Sequence, residues 1–147
     1  MPSPDALRQE IATARDALRQ ALTAAADGWN TAPADTNAEG EAAWSARKAA
    51  KHIIGAEVFF AAAICEACGY PGPASPWGEG KIAADSADEA SRTFNAAVAA
   101  ADAKIQHVSE TDLAQTHERF GTVTETMTLW ASHLRDHAAQ IRAAAGA

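Results

Sequence analysis

Three histidines, His52, His133 and His137, stand where helical periodicity asks for apolar side chains. His137 belongs to the series Val123, Met127, Trp130, Leu134, His137, Ile141, whose steps of four and three mark one face of an amphipathic helix. His133 precedes it by one turn on the same side, and an i, i+4 pair of imidazoles lies close enough to share one metal ion. His52 sits far upstream in a second series, Ala49, His52, Ala56, Phe59, Ala63, whose small residues leave space beside the ring. If the two stripes meet in a core, each ring needs a partner, because a buried polar group left unpaired costs about 1–3 kcal/mol. Two arrangements supply one: separate hydrogen bonds to carboxylates or carbonyls, or a single ion shared by all three rings.

The shared ion carries the chemistry. Three neutral imidazoles fill three corners of a tetrahedron and leave the last to water or substrate, the pattern of catalytic rather than structural zinc. An ion held that way lowers the pKa of a bound water or an incoming thiol towards neutrality. Imidazole suits several of Zn, Ni, Fe and Mn, so the ligand set does not choose among them, and supply in the cell decides. No E-x-x-H occurs, which excludes a ferritin-type di-iron site, and no H-E-x-x-H, which excludes a zincin protease.

Four neighbours are candidates for the pocket or for orienting the ligands. Glu57 is a carboxylate of the kind that holds a ligating histidine. On an ideal helix, however, five residues turn it about 140° from His52, which points it towards a basic residue on another helix. Phe59 and Trp130 share faces with the ligands and are either pocket walls or core aromatics. Gln140, one turn past His137, reaches the site or solvent. His107 and His117 are expected at the surface. Cys65-Glu66-Ala67-Cys68 falls at a helix C-terminus, where the dipole disfavours thiolate, and no second cysteine pair exists, so both thiols read as structural.

The elements that position these residues are helices. Ser3 can cap a first helix with Pro4 at its first position, and Leu7, Ile11, Ala14, Leu18, Leu22, Ala25 form its stripe before Gly28. A loop from about 28 to 40 leads to a long helix that begins at Glu41 or Ser45 and ends at Cys68, where Gly69-Tyr70-Pro71-Gly72-Pro73 stops it. From Val58 to Cys65 that helix is apolar on every side, which makes it central in a bundle, a subunit interface, or both. The long connection from Gly69 to Asp85 reads either as a lid over one end or as a crossing from one helix to the next. Ser86-Ala87-Asp88-Glu89 opens a third helix with the stripe Ala87, Ala90, Phe94, Ala97, Ala101, Ile105. A polar connection from Val108 to Gly121 follows, and Thr122-Val123-Thr124-Glu125 caps the helix of His133 and His137. No strand alternation is visible. The reading is one all-α domain over 1–147, a four-helix bundle with long connections between helices two and three and between three and four.

Bulk properties narrow the partners. A chain of 147 residues buries a core without disulfide staples. The longest apolar run, Val58 to Cys65, is far short of the roughly 18–20 residues that span a bilayer. The N-terminus lacks a basic segment and an apolar signal core, and cytoplasmic residence is the resulting expectation. A formal charge of −7 and no Lys/Arg cluster interleaved with aromatics argue against nucleic acid.

Trp44-Ser45 eight residues before His52, Gly55-Ala56-Glu57 just after it, Gly121 ahead of the last helix, and His133-x-x-x-His137-x-x-Gln140-Ile141 together resemble the DinB-like family, whose members are read as metal-dependent enzymes. The resemblance spans the chain and its helix order. It implies a four-helix bundle in which His52, His133 and His137 hold a divalent metal, with Zn or Ni favoured, and it implies a homodimer. Some members transfer low-molecular-weight thiols such as bacillithiol or mycothiol, which implies a small-molecule partner of that class. A related mycothiol-dependent isomerase domain has a carboxylate in place of His133, and this chain departs from it there. The alternative function is a non-catalytic dimeric module that binds metal or a small ligand under stress.

Overall fold

The computed structural model of the chain describes residues 2–33 and 37–147. Its four helices are α1 (Pro4–Ala24), α2 (Ala46–Cys68), α3 (Ala87–Ile105) and α4 (Val123–Ala145), and they share one apolar core. The boundaries follow from capping chemistry. Ser3, Ser45 and Ser86 accept hydrogen bonds from the N–H groups of Ala6, Lys48 and Glu89, and Thr122 and Glu125 cap α4 reciprocally. At the other end of α2, Gly69 adopts φ +73°, a left-handed cap that glycine takes without strain. The expected loop from 28 to 40 includes residues 34–36, which lie outside the described ones; its last residue begins a short 3-10 turn, Gly40–Ala43.

Helix directions can be read from paired residues. α2 and α4 run antiparallel, with Glu41, His52 and Glu57 level with Gln140, His133 and Trp130. α2 and α3 run parallel, since Arg47 pairs with Asp85 at their starts while Cys65 and Lys104 share a cavity near their ends. The 69–86 connection therefore travels back along α2. It is fastened where it arrives: Trp29 Nε1 donates to the Ala84 carbonyl at 2.8 Å, Thr93 to that of Ala83, and Ile82 lies against Gly55. Of the two readings of this connection, the structure shows the crossing.

α1 and α4 also run parallel, and their ends meet so closely that a Cβ at Gly28 would lie 2.3 Å from the Ala145 carbonyl oxygen. That approach requires glycine.

The stripes of α1, α3 and α4 are buried as expected, His137 included. Two features differ. Arg15, a charged residue outside the α1 stripe, is buried at 4% exposure. On α2 the ends of the expected stripe, Ala49 and Ala63, are buried, but His52 is exposed and Phe59 is 50% exposed. The core face of α2 is turned towards Ala50, Ile53, Ile54, Phe60 and Ile64 instead. The cause is composition: with large aliphatic residues at 53, 54 and 64 against His52 and Ala56 in the middle of the expected stripe, burying the former removes more apolar surface from water.

The connection before α4 contains strand where none was expected. β1 (Thr116–His117) pairs antiparallel with β2 (Gly121–Thr122), too short to show alternation. His117, expected at the surface, is only 13% exposed in its side chain; it bonds Glu66 at 3.1 Å and stacks on Phe120.

Candidate metal centre

The antiparallel packing of α2 on α4 brings His52 level with His133, and helical spacing puts His137 one turn further along. One ring nitrogen from each of the three lies within 4.8 Å of the others. Ring centroids are 5.5 Å apart for His52 and His133, 4.9 Å for His52 and His137, and 4.5 Å for His133 and His137. The burial of the three is graded: His137 is buried at 3% exposure, His133 is half-buried and His52 exposed. A stability cost for an unpaired buried imidazole thus falls on His137 alone, and a hydrogen bond meets it.

That bond fixes a tautomer. Gln140 Nε2 donates to the Glu41 carbonyl, so its Oε1 is the acceptor facing His137 Nδ1 at 2.5 Å. Nδ1 must then carry the proton, which leaves the lone pair on Nε2. Gln140 is in this way tied to the ligand from behind, an arrangement common for metal-binding histidines. In front, His52 Nε2 and His133 Nε2 are 3.3 Å apart. Two nitrogens bonded to one tetrahedral zinc ion at 2.0–2.1 Å are separated by roughly the same distance. The donor set and its spacing fit a divalent metal.

Electrostatics keep two of the donors in the ligating form. Burial, then the neighbouring His137, holds His52 below its ordinary pKa of 6.5, with Glu41 opposing. His133 is lowered by burial, His137 and His52, against Glu41 and Asp136. Both shifts favour neutral imidazole.

The residues around His52 in the sequence have distinct jobs. Trp44 lays its ring 5.3 Å from that of His52, and Ser45 caps the helix that carries it. Ala56 lines an open groove with His52 and His133. Glu57 is fully buried on the far side, where it accepts from Arg15 Nε at 2.5 Å and Trp130 Nε1 at 2.9 Å. Arg15 Nη2 approaches the same Glu57 oxygen without making a further hydrogen bond, and Nη1 bonds Asp102. Burial pushes the Glu57 carboxyl up, while Arg15 and Trp130 pull it down. Neither Glu57 nor Trp130 has a hydrogen bond to the histidines; of the alternatives open for each, Glu57 takes the basic partner on another helix and Trp130 the core place, and neither is a pocket wall or ligand-orienting group. The cause is the helical turn that separates Glu57 from His52 and the full burial of Trp130 at 0% exposure.

Phe59 and Gln140 do belong to the site. Phe59 lines the groove, whose volume is about 560 Å³, with Phe60, Phe120 and Leu129. Glu41 and Arg119 complete its rim. These last residues have little signal in the sequence: Phe60 adjoins Phe59 in an all-apolar run, and Arg119-Phe120 sits in a connection without periodicity. Cys65 and Cys68 do not line the groove, Cys65 facing a separate cavity instead, and burial raises both thiols, Cys68 to about 11. His107 is exposed, as expected.

No helix is long and apolar enough to cross a membrane among the described residues. No curated protein and no solved structure matches the chain. The model of the DinB superfamily matches residues 10–141, and with the histidine geometry above it, the chain belongs to that superfamily.

Proposed function

We propose that the protein is a metal-dependent enzyme in which His52, His133 and His137 hold a divalent ion at the head of the groove, with transfer of a low-molecular-weight thiol as its reaction. The carrying observation is the convergence of three ring nitrogens within 4.8 Å beside an open groove of about 560 Å³. The ion, when bound, supplies Lewis acidity that brings a thiol or water to its anionic form near neutral pH. The protein's own residues do the rest. Gln140 fixes the ring of His137, Trp44 braces that of His52, and Phe60 packs at 5.7 Å against that of His133. The apolar walls seat the organic part of the thiol, and Glu41, beside His52 and His133, takes up its proton. Related hydrolysis would use the same groups on water. The family resemblance supports thiol transfer over hydrolysis and a homodimer, and a cytoplasmic setting completes the proposal.

The test is conjugation of monochlorobimane with a panel of low-molecular-weight thiols by protein loaded with Zn, Ni, Fe or Mn and by chelator-treated protein. Metal-dependent conjugation with at least one thiol is expected. No turnover with any thiol, together with tight binding of a small molecule, would replace the enzyme by a binding module.

A further inference from the structure

The groove beside the histidines has two chemically different ends. At the histidine end stands Glu41, whose charge acts on both His52 and His133. At the other, on the turn between β1 and β2, the Arg119 guanidinium lies 5.1 Å from the Phe120 ring centroid and 5.9 Å from that of Phe59. Arg8, Arg15, Arg19, Arg47 and Arg135 each hold a carboxylate; among the described residues Arg119, like Arg92 and Arg142, has none within ion-pair distance, and of these three it alone lines the groove. Phe60 connects the two ends, its ring 5.7 Å from His133 and 5.6 Å from Phe120.

We propose that this groove binds an organic acid with a flat apolar body, its carboxylate on Arg119, its body over Phe59 and Phe120, and its far end directed at His52 and His133. The proposal deepens the metal-site reading and rests on it only for what happens at that far end. Arginine stays charged at any working pH and presents two parallel N–H donors that match a carboxylate. The aromatic walls give the body an apolar, stacking surface, and their faces also hold the guanidinium in place. Glu41 repels a carboxylate from the histidine end and so sets the direction in which the ligand enters. An acid bound this way presents its uncharged end to the reactive site, which selects the co-substrate of the reaction.

The probe is 4-phenylbutyrate, compared with the uncharged 4-phenylbutanol in NMR-detected titrations of metal-free and zinc-loaded protein. In the metal-free protein the acid is expected to bind about tenfold more tightly than the alcohol. Arg119→Gln should abolish that preference, Arg119→Lys should keep part of it, and Phe120→Ala should weaken both ligands. Equal binding of acid and alcohol, no binding of the acid at millimolar concentration, or a preference that survives Arg119→Gln overturns the proposal. A preference present only with zinc also overturns it, because the carboxylate then sits on the ion. Failure to take up zinc would defeat the metal reading while the metal-free arm still decides the role of Arg119.

Discussion

Two polar constellations lie close together on the α2–α4 contact, and they are built on opposite plans. In the lower one, Glu57 is enclosed at 0% exposure and meets Arg15 from α1 and Trp130 from α4, with Asp102 of α3 on the far side of the guanidinium. All four helices contribute, and the polar groups pair with one another, only Arg15 Nη2 approaching Glu57 without a hydrogen bond of its own. In the upper one, His137 is tied from behind by Gln140, but the Nε2 atoms of His52 and His133 meet at a groove that stays open. A polar cluster that closes on itself ties helices together; one whose donors converge on an opening is available to a ligand.

Substitutions can break that contrast. The largest effect is expected from His137→Ala, which removes the most firmly held donor: bound metal should fall to near background, as read by elemental analysis, with the helical signal retained. Glu57→Ala should do the reverse. It leaves the Arg15 charge buried without its partner, and denaturant unfolding should show a loss of about 3–5 kcal/mol, while whatever folds still binds metal. If Glu57→Ala abolished metal binding in a folded protein, the two clusters would not be separable. Gln140→Ala comes next, because it frees His137 Nδ1; a competitive chelator should report metal affinity lower by about 10–100-fold.

A smaller effect concerns pH. His52 and His133 have folded pKa values below the ordinary 6.5, so the unfolded chain binds more protons than the folded one between the two values. Stability of the metal-free protein should therefore be fully present above about pH 6.5 and decline as pH falls through that window towards the lowered values. Thermal melts from pH 7.5 to 5 would show it, and a variant with both rings replaced by glutamine should lose that part of the slope. Cys68→Ser marks the bottom of the scale. A thiol raised to about 11 at the opposite end of α2 should change neither metal content nor its pH dependence.

Much of this was legible in the sequence because it depends on local chemistry. Ser3, Ser45, Ser86 and Thr122 declare the helix starts through capping, and the periodic stripes of α1, α3 and α4 name their own buried faces. The pairing of His133 with His137 follows from helix geometry alone. What escaped depends on how helices meet. The stripe through His52 is apolar enough to be read as core, yet α2 is rotated to bury Ile53, Ile54 and Ile64, which leaves His52 and Phe59 on the wall of the groove. Arg15 is a charged residue on a surface-like position until Glu57 meets it from another helix. Arg119 and Phe120 enter the site only because a two-residue strand pair folds their turn back over α2, and no periodic signal announces so short a pair.

The most direct measurement is the metal stoichiometry of untagged protein, wild type beside His133→Ala, after loading with Zn, Ni, Fe or Mn and removal of excess. One ion per wild-type chain and near-background content in His133→Ala is the result the shared site requires. Content well below one per chain in both proteins, or equal content in the two, would contradict it.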